Sequence, residues 1–293
     1  MNGIILKGIG GFYYVKTDED GAVYECRARG IFRKLDKKPL VGDRVRIEIT
    51  HEDDMEGNIV EIHERKNALI RPAVANVDRA LVIFALKTPD PVLTLLDTFL
   101  ISMRRSSLPT TLVFNKADLV DEDTIDKFSE IYSSAGVDII FTSTKTGRGI
   151  DMVKNVLAGA ITTVAGPSGA GKSTIINTIA GHEVMETGKV SKKIGRGKQT
   201  TRHTELLEIG ENSYIMDTPG FSTLLLPEME KEDLAVYYPE FDNDRDSCYF
   251  SRCVHIHEPG CRVRESVEAG KINKVRYESY LSLYEELAGR RRY

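Results

Sequence analysis

Nine residues, Gly166-Pro167-Ser168-Gly169-Ala170-Gly171-Lys172-Ser173-Thr174, restrict the fold of this 293-residue chain more than any other stretch. The β-branched run Ile161-Thr162-Thr163-Val164-Ala165 precedes them, and Ile175-Ile176-Asn177-Thr178-Ile179 follows with the pattern of a helix. A strand, a glycine-rich loop and a helix form the context that gives a Gly-x4-Gly-Lys-Ser match its meaning. The glycines let the backbone curl until several N–H groups and the helix N-terminus face one anion. At that spacing Lys172 reaches the β- and γ-phosphates of a nucleotide, and the Ser173 hydroxyl holds Mg²⁺. The stretch therefore predicts a nucleoside triphosphate site.

The surrounding pattern supplies the sheet such a site needs. Ala80–Ala85 reads as a fully buried strand and Val92–Arg105 as a helix. Thr111–Phe114, Val137–Phe141 and Ile161–Ala165 read as further strands, with helices over Thr124–Ala135 and Ile150–Leu157 between them. Strands alternating with helices imply a parallel sheet covered on both faces, with ligands beyond the carboxyl ends of its strands.

After the strand ending at Phe114 comes Asn115-Lys116-Ala117-Asp118. In this signature the aspartate carboxylate accepts hydrogen bonds from the N1–H and 2-amino group of guanine. Adenine lacks those donors, so Asp118 selects GTP over ATP. Asn115 and Lys116 brace the base and the phosphate loop. Ser143-Thr144-Lys145, after the next strand, is similar to the supporting Ser/Thr-Ala-Lys base contact. The order is unusual, because Asn115–Lys145 precedes Gly166 where most GTPases have the phosphate loop first. A chain cut elsewhere, with its old ends joined, keeps the same strand ends around the ligand. The pattern is a circular permutation.

Past the strand Ser213–Met216 lies Asp217-Thr218-Pro219-Gly220. Asp217 is placed to hold Mg²⁺ through a water, and the Gly220 N–H to sense the γ-phosphate. The loop Gly188–Thr204 carries six basic residues (Lys189, Lys192, Lys193, Arg196, Lys198, Arg202) and no acidic one. Thr200 or Thr201 supplies the threonine that caps Mg²⁺ in the GTP state, with Thr201 taken as the ligand. Where many GTPases carry a water-orienting glutamine after the glycine, this chain has Phe221. A phenyl ring cannot orient water, so unaided hydrolysis is expected to be slow. Gln199 or His203 is the candidate replacement once the basic loop orders.

Two flanking regions complete the chain. Residues 1 to about 65 read as five short strands (Ile4–Lys7, Gly11–Lys16, Val23–Arg29, Arg44–Thr50, Gly57–His63), which suit an OB-fold barrel. Between Arg27 and Arg46 eight basic residues face two acidic ones, a local excess of +6, with Phe12, Tyr13, Tyr14 and Phe32 as stacking candidates. The pattern breaks near Asn67–Asn76, where Pro72 marks a linker. At the other end Cys248-x4-Cys253-x-His255-x5-Cys261 offers three thiolates and an imidazole, with His257 a rival ligand. A closed Cys3His set predicts one structural Zn²⁺. Helices over Arg262–Ala269 and Ile272–Leu287 follow it.

Together, Asn115–Asp118, Gly166–Thr174, Gly195-Arg196-Gly197-Lys198-Gln199-Thr200-Thr201, Asp217–Phe221 and the Cys248/Cys253/His255/Cys261 set resemble the circularly permuted ribosome small subunit-dependent GTPase family. The resemblance runs nearly end to end. It implies a multi-domain α/β protein with an OB-fold at 1–66, a permuted P-loop GTPase domain at 67–225 and a helical zinc-binding domain at 226–293. It further implies contact with the small ribosomal subunit and its rRNA, a role in late maturation of that subunit, and GTP hydrolysis stimulated by the ribosome. Many members carry a histidine, proposed to be catalytic, where this chain has Gln199. A monomeric, cytoplasmic protein is expected: four cysteines, three of them clustered, suit a reducing compartment, and no apolar run approaches a membrane span. The alternatives are a P-loop kinase acting on a small metabolite and a nucleic-acid-binding zinc protein with a vestigial nucleotide site. Asn115–Asp118 opposes the first; intact Lys172, Ser173 and Asp217 oppose the second.

Overall fold

Alternating apolar and polar residues build five N-terminal strands: β1 (Asn2–Ile9), β2 (Phe12–Thr17), β3 (Val23–Ala28), β4 (Arg44–His51) and β5 (Glu56–Ile62). The structure is a computed structural model and describes residues 1–30, 32, 38–51, 53–69, 73–185, 204–217 and 226–290. The strands pair in the order β1-β2-β3-β5-β4, and β4 returns to β1, so the sheet closes into a small barrel. Only β3 and β5 run parallel. Ile5, Val15, Tyr24, Cys26, Val45, Ile47 and Ile59 point inward and form its core.

The basic stretch is less available than its composition suggests. Arg29 pairs with Glu48, Arg44 with Asp18 at 2.6 Å and Arg46 with Glu61 at 3.0 Å. Arg27 lies over the Phe12 ring, 4.8 Å from its centroid. Phe32, expected as a stacking platform, is buried in the barrel core and cannot present a face to a base. Arg33, Lys34 and Lys37 lie outside the described residues.

The expected linker is tied down on either side of residues 70–72, which include the marker Pro72 and lie outside the described residues. β6 (Ala68–Leu69) and β7 (Val74–Ala75) pair with each other. The Asn67 side chain bonds the Val77 N–H and carbonyl at 3.0 and 2.7 Å, and the Asn76 amide donates to the Gly42 carbonyl at 2.9 Å. Two asparagines thus do what extended backbone alone would not.

The remaining elements follow the predicted alternation: β8 (Arg79–Ala85), α1 (Leu93–Arg105), β9 (Thr110–Asn115), α2 (Glu122–Tyr132), β10 (Asp138–Phe141), α3 (Ile150–Leu157), β11 (Ile161–Ala165), α4 (Lys172–Ala180), β12 (Glu205–Gly210), β13 (Ser213–Asp217), α5 (Arg262–Glu268) and α6 (Lys274–Gly289). Helix α2 starts two residues before its expected position because Asp121 caps it, accepting from the Thr124 N–H at 2.9 Å. Glu122 and Asp123 in its first turn suit the helix dipole.

The chain divides into two compact units, each assembled from separated segments. In residues 1–80, 153–164 and 173–222, β11 pairs parallel with β13, β13 antiparallel with β12, and β12 antiparallel with β1 of the barrel. The purely parallel sheet expected from the pattern is therefore corrected by β12, a mostly half-buried strand that pairs antiparallel on both sides. In residues 81–152, 165–172 and 223–293 the sheet order is β10-β9-β8, with β9 and β10 parallel.

The second unit also holds the C-terminal helices. Tyr238, Phe241 and Tyr280 pack ring to ring with centroids 5.1–5.3 Å apart. Arg276 of α6 is buried beside them. It donates to Asp97 of α1 and, at 2.7 Å, to Glu240, with its guanidinium stacked over Tyr132 and Tyr238. Burial works against its charge, but Asp97 and then Glu240 outweigh that and raise its pKa.

Candidate functional site

The phosphate loop requires its glycines. Gly166 and Gly171 sit at φ 137° and 92°. A Cβ on Gly166 would overlap the Ile83 carbonyl oxygen, and one on Gly171 would overlap the Asn115 amide nitrogen. Both are places where only a residue without a side chain fits. Lys172 opens α4 and folds back over the loop, donating to the carbonyls of Gly166 and Pro167 at 2.8 and 2.9 Å. Burial lowers its pKa. A partly desolvated ammonium at the mouth of this curl fits the chemistry of an incoming anion, which would restore its charge balance. Ser168 and Gly169 are exposed, Ala170 is buried and Ser173 and Thr174 occupy the first turn of α4.

The base-reading residues are joined to that loop directly. Asn115 is buried at the end of β9. Its amide donates to the Ala170 carbonyl at 2.9 Å, while its oxygen accepts from the Thr142 hydroxyl at 3.1 Å. Lys116 adopts a left-handed backbone conformation, φ 62°, and its ammonium donates to the Thr88 carbonyl. Ala117 is buried and its N–H donates to the Thr142 carbonyl at 3.0 Å. Asp118 is exposed and accepts from the Ser143 hydroxyl at 2.6 Å; that hydroxyl in turn accepts from the N–H groups of Lys145 and Thr146 at 3.2 Å. The Ser143–Lys145 turn thus orients the solvent-facing Asp118 carboxylate, with Thr144 half-buried between.

Two partners escaped the sequence reading. Thr142 carries Asn115, and Thr88 receives Lys116; Thr142 directly follows β10 and Thr88 lies three residues past β8, positions that by themselves signal no such contact. Asp217 is the last residue of β13. Gly220, Phe221, Gln199, Thr200, Thr201 and His203 lie outside the described residues.

The metal centre is assembled separately. The ligand atoms of Cys248, Cys253, His255 and Cys261 all lie within 4.8 Å of one another. His255 Nδ1 is 3.6 Å from Cys248 Sγ and 3.5 Å from Cys261 Sγ, and those two sulfurs are 3.9 Å apart. Four ligands at ordinary Zn–S and Zn–N lengths form a tetrahedron with edges of about 3.8 Å between sulfurs and about 3.6 Å between sulfur and nitrogen. The donor set fits zinc. Burial pushes the Cys253 thiol up to about 12 and raises Cys261 too, a cost that a cation among the sulfurs would remove. His257, the rival ligand, is exposed and outside the cluster. The Glu258 carboxylate accepts from the N–H groups of Val254, Ile256 and His257, and Tyr277 and Tyr280 donate from α6 to the carbonyls of His255 and Val254 at 2.7 and 2.6 Å.

Known proteins match this arrangement over its whole length. The RsgA GTPase family model matches residues 62–227, and the RsgA N-terminal domain model matches residues 2–59. The chain belongs to the RsgA GTPase family. A protein of Agathobacter rectalis named small ribosomal subunit biogenesis GTPase RsgA is 52% identical over 100% of both chains. A Clostridium perfringens protein of the same name is 48% identical over 99% of both. The crystal structure of YjeQ from Thermotoga maritima superposes with a TM-score of 0.82 at 38% identity, covering 99% of each chain. The structure of YloQ, described as a circularly permuted GTPase, gives 0.79 at 34% identity, covering 100% of this chain and 96% of that one. As an RsgA-family member this chain is a GTP hydrolase with a permuted GTPase domain, an N-terminal barrel and a C-terminal helical region bearing the Cys3His group. Among the described residues no helix is long and apolar enough to cross a membrane.

Proposed function

We propose that this GTPase acts on the small ribosomal subunit during its late maturation, with GTP hydrolysis stimulated by that particle. Full-length similarity to relatives named small ribosomal subunit biogenesis GTPase supports the ribosomal part. The observation that carries the nucleotide part is the Asn115 amide, which ties the base-reading turn to the phosphate loop at Ala170. In this reading Asp118 accepts the guanine N1–H and amino protons, and Ser143-Thr144-Lys145 holds it in position. Lys172 and the N–H groups of Gly166–Thr174 take the phosphates. Ser173, Asp217 and Thr201 hold Mg²⁺, which when bound neutralises charge on the β- and γ-phosphates. The Gly220 N–H senses the γ-phosphate, and Gln199 or His203 orients the attacking water. The functional segments run 1–66, 67–225 and 226–293, and the protein works as a cytoplasmic monomer on rRNA.

Alanine at Gln199 and at His203 separately, with turnover measured on purified small subunits, tests the catalytic assignment. One of the two is expected to lose most of the stimulated rate. Unchanged turnover in both variants would remove these residues from the mechanism.

A further inference from the structure

The two base-reading turns are joined by an ion pair that the nucleotide reading leaves unused. Arg148 meets the Glu122 carboxylate through two guanidinium nitrogens, at 2.6 and 3.2 Å, so the contact is bidentate. Glu122 is the first residue of α2, four residues after Asp118. Arg148 lies three residues after Lys145, and its carbonyl accepts from the Ser143 N–H at 3.0 Å. The pair therefore closes a ring. Asp118 takes the Ser143 hydroxyl at 2.6 Å, and Ser143 is bonded through its N–H to Arg148, which grips Glu122. From Glu122 the capping Asp121 and the 3₁₀ turn Ala117–Leu119 lead back to Asp118. The hydrogen bond from Arg148 holds the Glu122 carboxyl below the usual carboxylate range, so both partners are charged at neutral pH.

Arg148 and Glu122 are exposed, and an exposed ion pair adds little to stability. Its geometric effect is larger. The Asp118 carboxylate is exposed as well, so the Ser143 hydroxyl alone leaves it able to swing about that bond. Guanine needs two acceptor positions at once, for its N1–H and its 2-amino group, whereas hypoxanthine offers the N1–H alone. A carboxylate held in one orientation favours the two-point contact, while a swinging one meets a single N–H nearly as well. That orientation depends on where Ser143 stands relative to Asp118. The Ala117 N–H, bonded to the Thr142 carbonyl at 3.0 Å, ties the roots of the two turns. The Glu122–Arg148 pair ties their far ends.

We propose that Glu122 and Arg148 are positioning residues for guanine selection, a clamp that holds the Ser143–Lys145 turn in register with Asp118. The clamp deepens the guanine reading above and rests on it. The full-length protein with Mg²⁺ is tested as wild type, Arg148→Ala, Glu122→Ala and the double variant. Affinities for GDP and inosine diphosphate, which differ only in the 2-amino group, are read by displacement of a fluorescent GDP analogue. Melting temperatures are taken alongside. The wild type is expected to prefer GDP by about tenfold or more, because the 2-amino group donates to a charged acceptor. Each single variant narrows that preference about threefold, and the double variant narrows it no further, since the two residues act as one unit. Added salt screens an exposed pair and brings the wild-type preference towards that of the variants, while effects on the phosphates cancel from the ratio. An unchanged preference in both single variants, with or without a lower melting temperature, would overturn the clamp and leave the guanine reading standing. So would a double variant in which the two losses add. A wild type that binds inosine diphosphate as tightly as GDP would remove the guanine reading and the clamp with it.

Discussion

Asn115 has two partners and serves two motifs, so its effect exceeds that of one hydrogen bond. Its amide holds the Ala170 carbonyl while its oxygen takes the Thr142 hydroxyl, and it is 2% exposed. Removing the side chain leaves buried groups without partners. Gly171 is bound to the same contact, because a Cβ there would overlap the Asn115 amide. Gly171→Ala is expected to cost about 1–3 kcal/mol through its positive φ and to weaken GTP binding at the same time, measured by thermal melting and nucleotide titration. A variant with unchanged affinity would show that the two loops are not coupled. Asp118 governs the choice of base. Asp118→Asn is expected to lower GTP affinity about a hundredfold or more. Its amide donates where the carboxylate accepted, so xanthosine triphosphate, which has a carbonyl in place of the amino group, should regain binding in a competition assay. The sequence displayed these residues because each is fixed by chemistry at a set spacing. Thr142 and Thr88 were not legible, because a threonine after a strand has many other uses.

At the scale of elements, the C-terminal region combines an apolar core that includes Leu234, Tyr238, Phe241, Tyr280 and Leu283 with two polar assemblies. Around Arg276, the Asp97 and Glu240 carboxylates are almost fully buried on one guanidinium. Arg276→Met is expected to destabilise the protein by about 3–5 kcal/mol at neutral pH, since it leaves two buried carboxylates uncompensated. Burial already raises the Asp97 pKa in the intact protein. In the variant the folded state therefore binds more protons than the unfolded chain, and the deficit should shrink as pH falls from neutral towards the ordinary carboxylate range. Denaturant titrations at pH 7 and pH 5 check both size and sign. The second assembly is the Cys3His group, whose segment has little regular structure besides a 3₁₀ turn at Arg245–Ser247. Cys261→Ser or chelation is expected to remove one equivalent of zinc and lower the melting temperature, read by metal analysis and calorimetry. The cysteine spacing announced this centre, and His255 was separable from His257 only once the fold placed one inside and one outside. Arg276 gave no sequence signal, because its two partners lie 36 and 179 residues away. Strand β12 was invisible for a different reason: its side chains are mostly not buried, and main-chain pairing to β13 and β1 defines it.

For the whole molecule, the sequence order of motifs was itself the most informative reading. With the base-reading motif before the phosphate loop, the chain must cross between its two compact units several times. In the chain the stretch carrying Asp217–Phe221 is followed by the Cys3His segment and only then by α5 and α6. The barrel was legible from its alternation, but its usable charge was not, since Arg29, Arg44 and Arg46 are engaged by acids distant in sequence. Such surface pairs add little stability, yet they leave fewer cations for RNA. The proposed function joins guanine specificity to a turnover that answers to the small ribosomal subunit. The direct test is phosphate release from GTP and from ATP, with and without purified small subunits. Slow GTP turnover that rises severalfold or more when subunits are added, with ATP left intact, is the predicted result. Turnover of ATP at a similar rate would contradict the assignment of Asp118, and GTP turnover indifferent to subunits would contradict the ribosomal role.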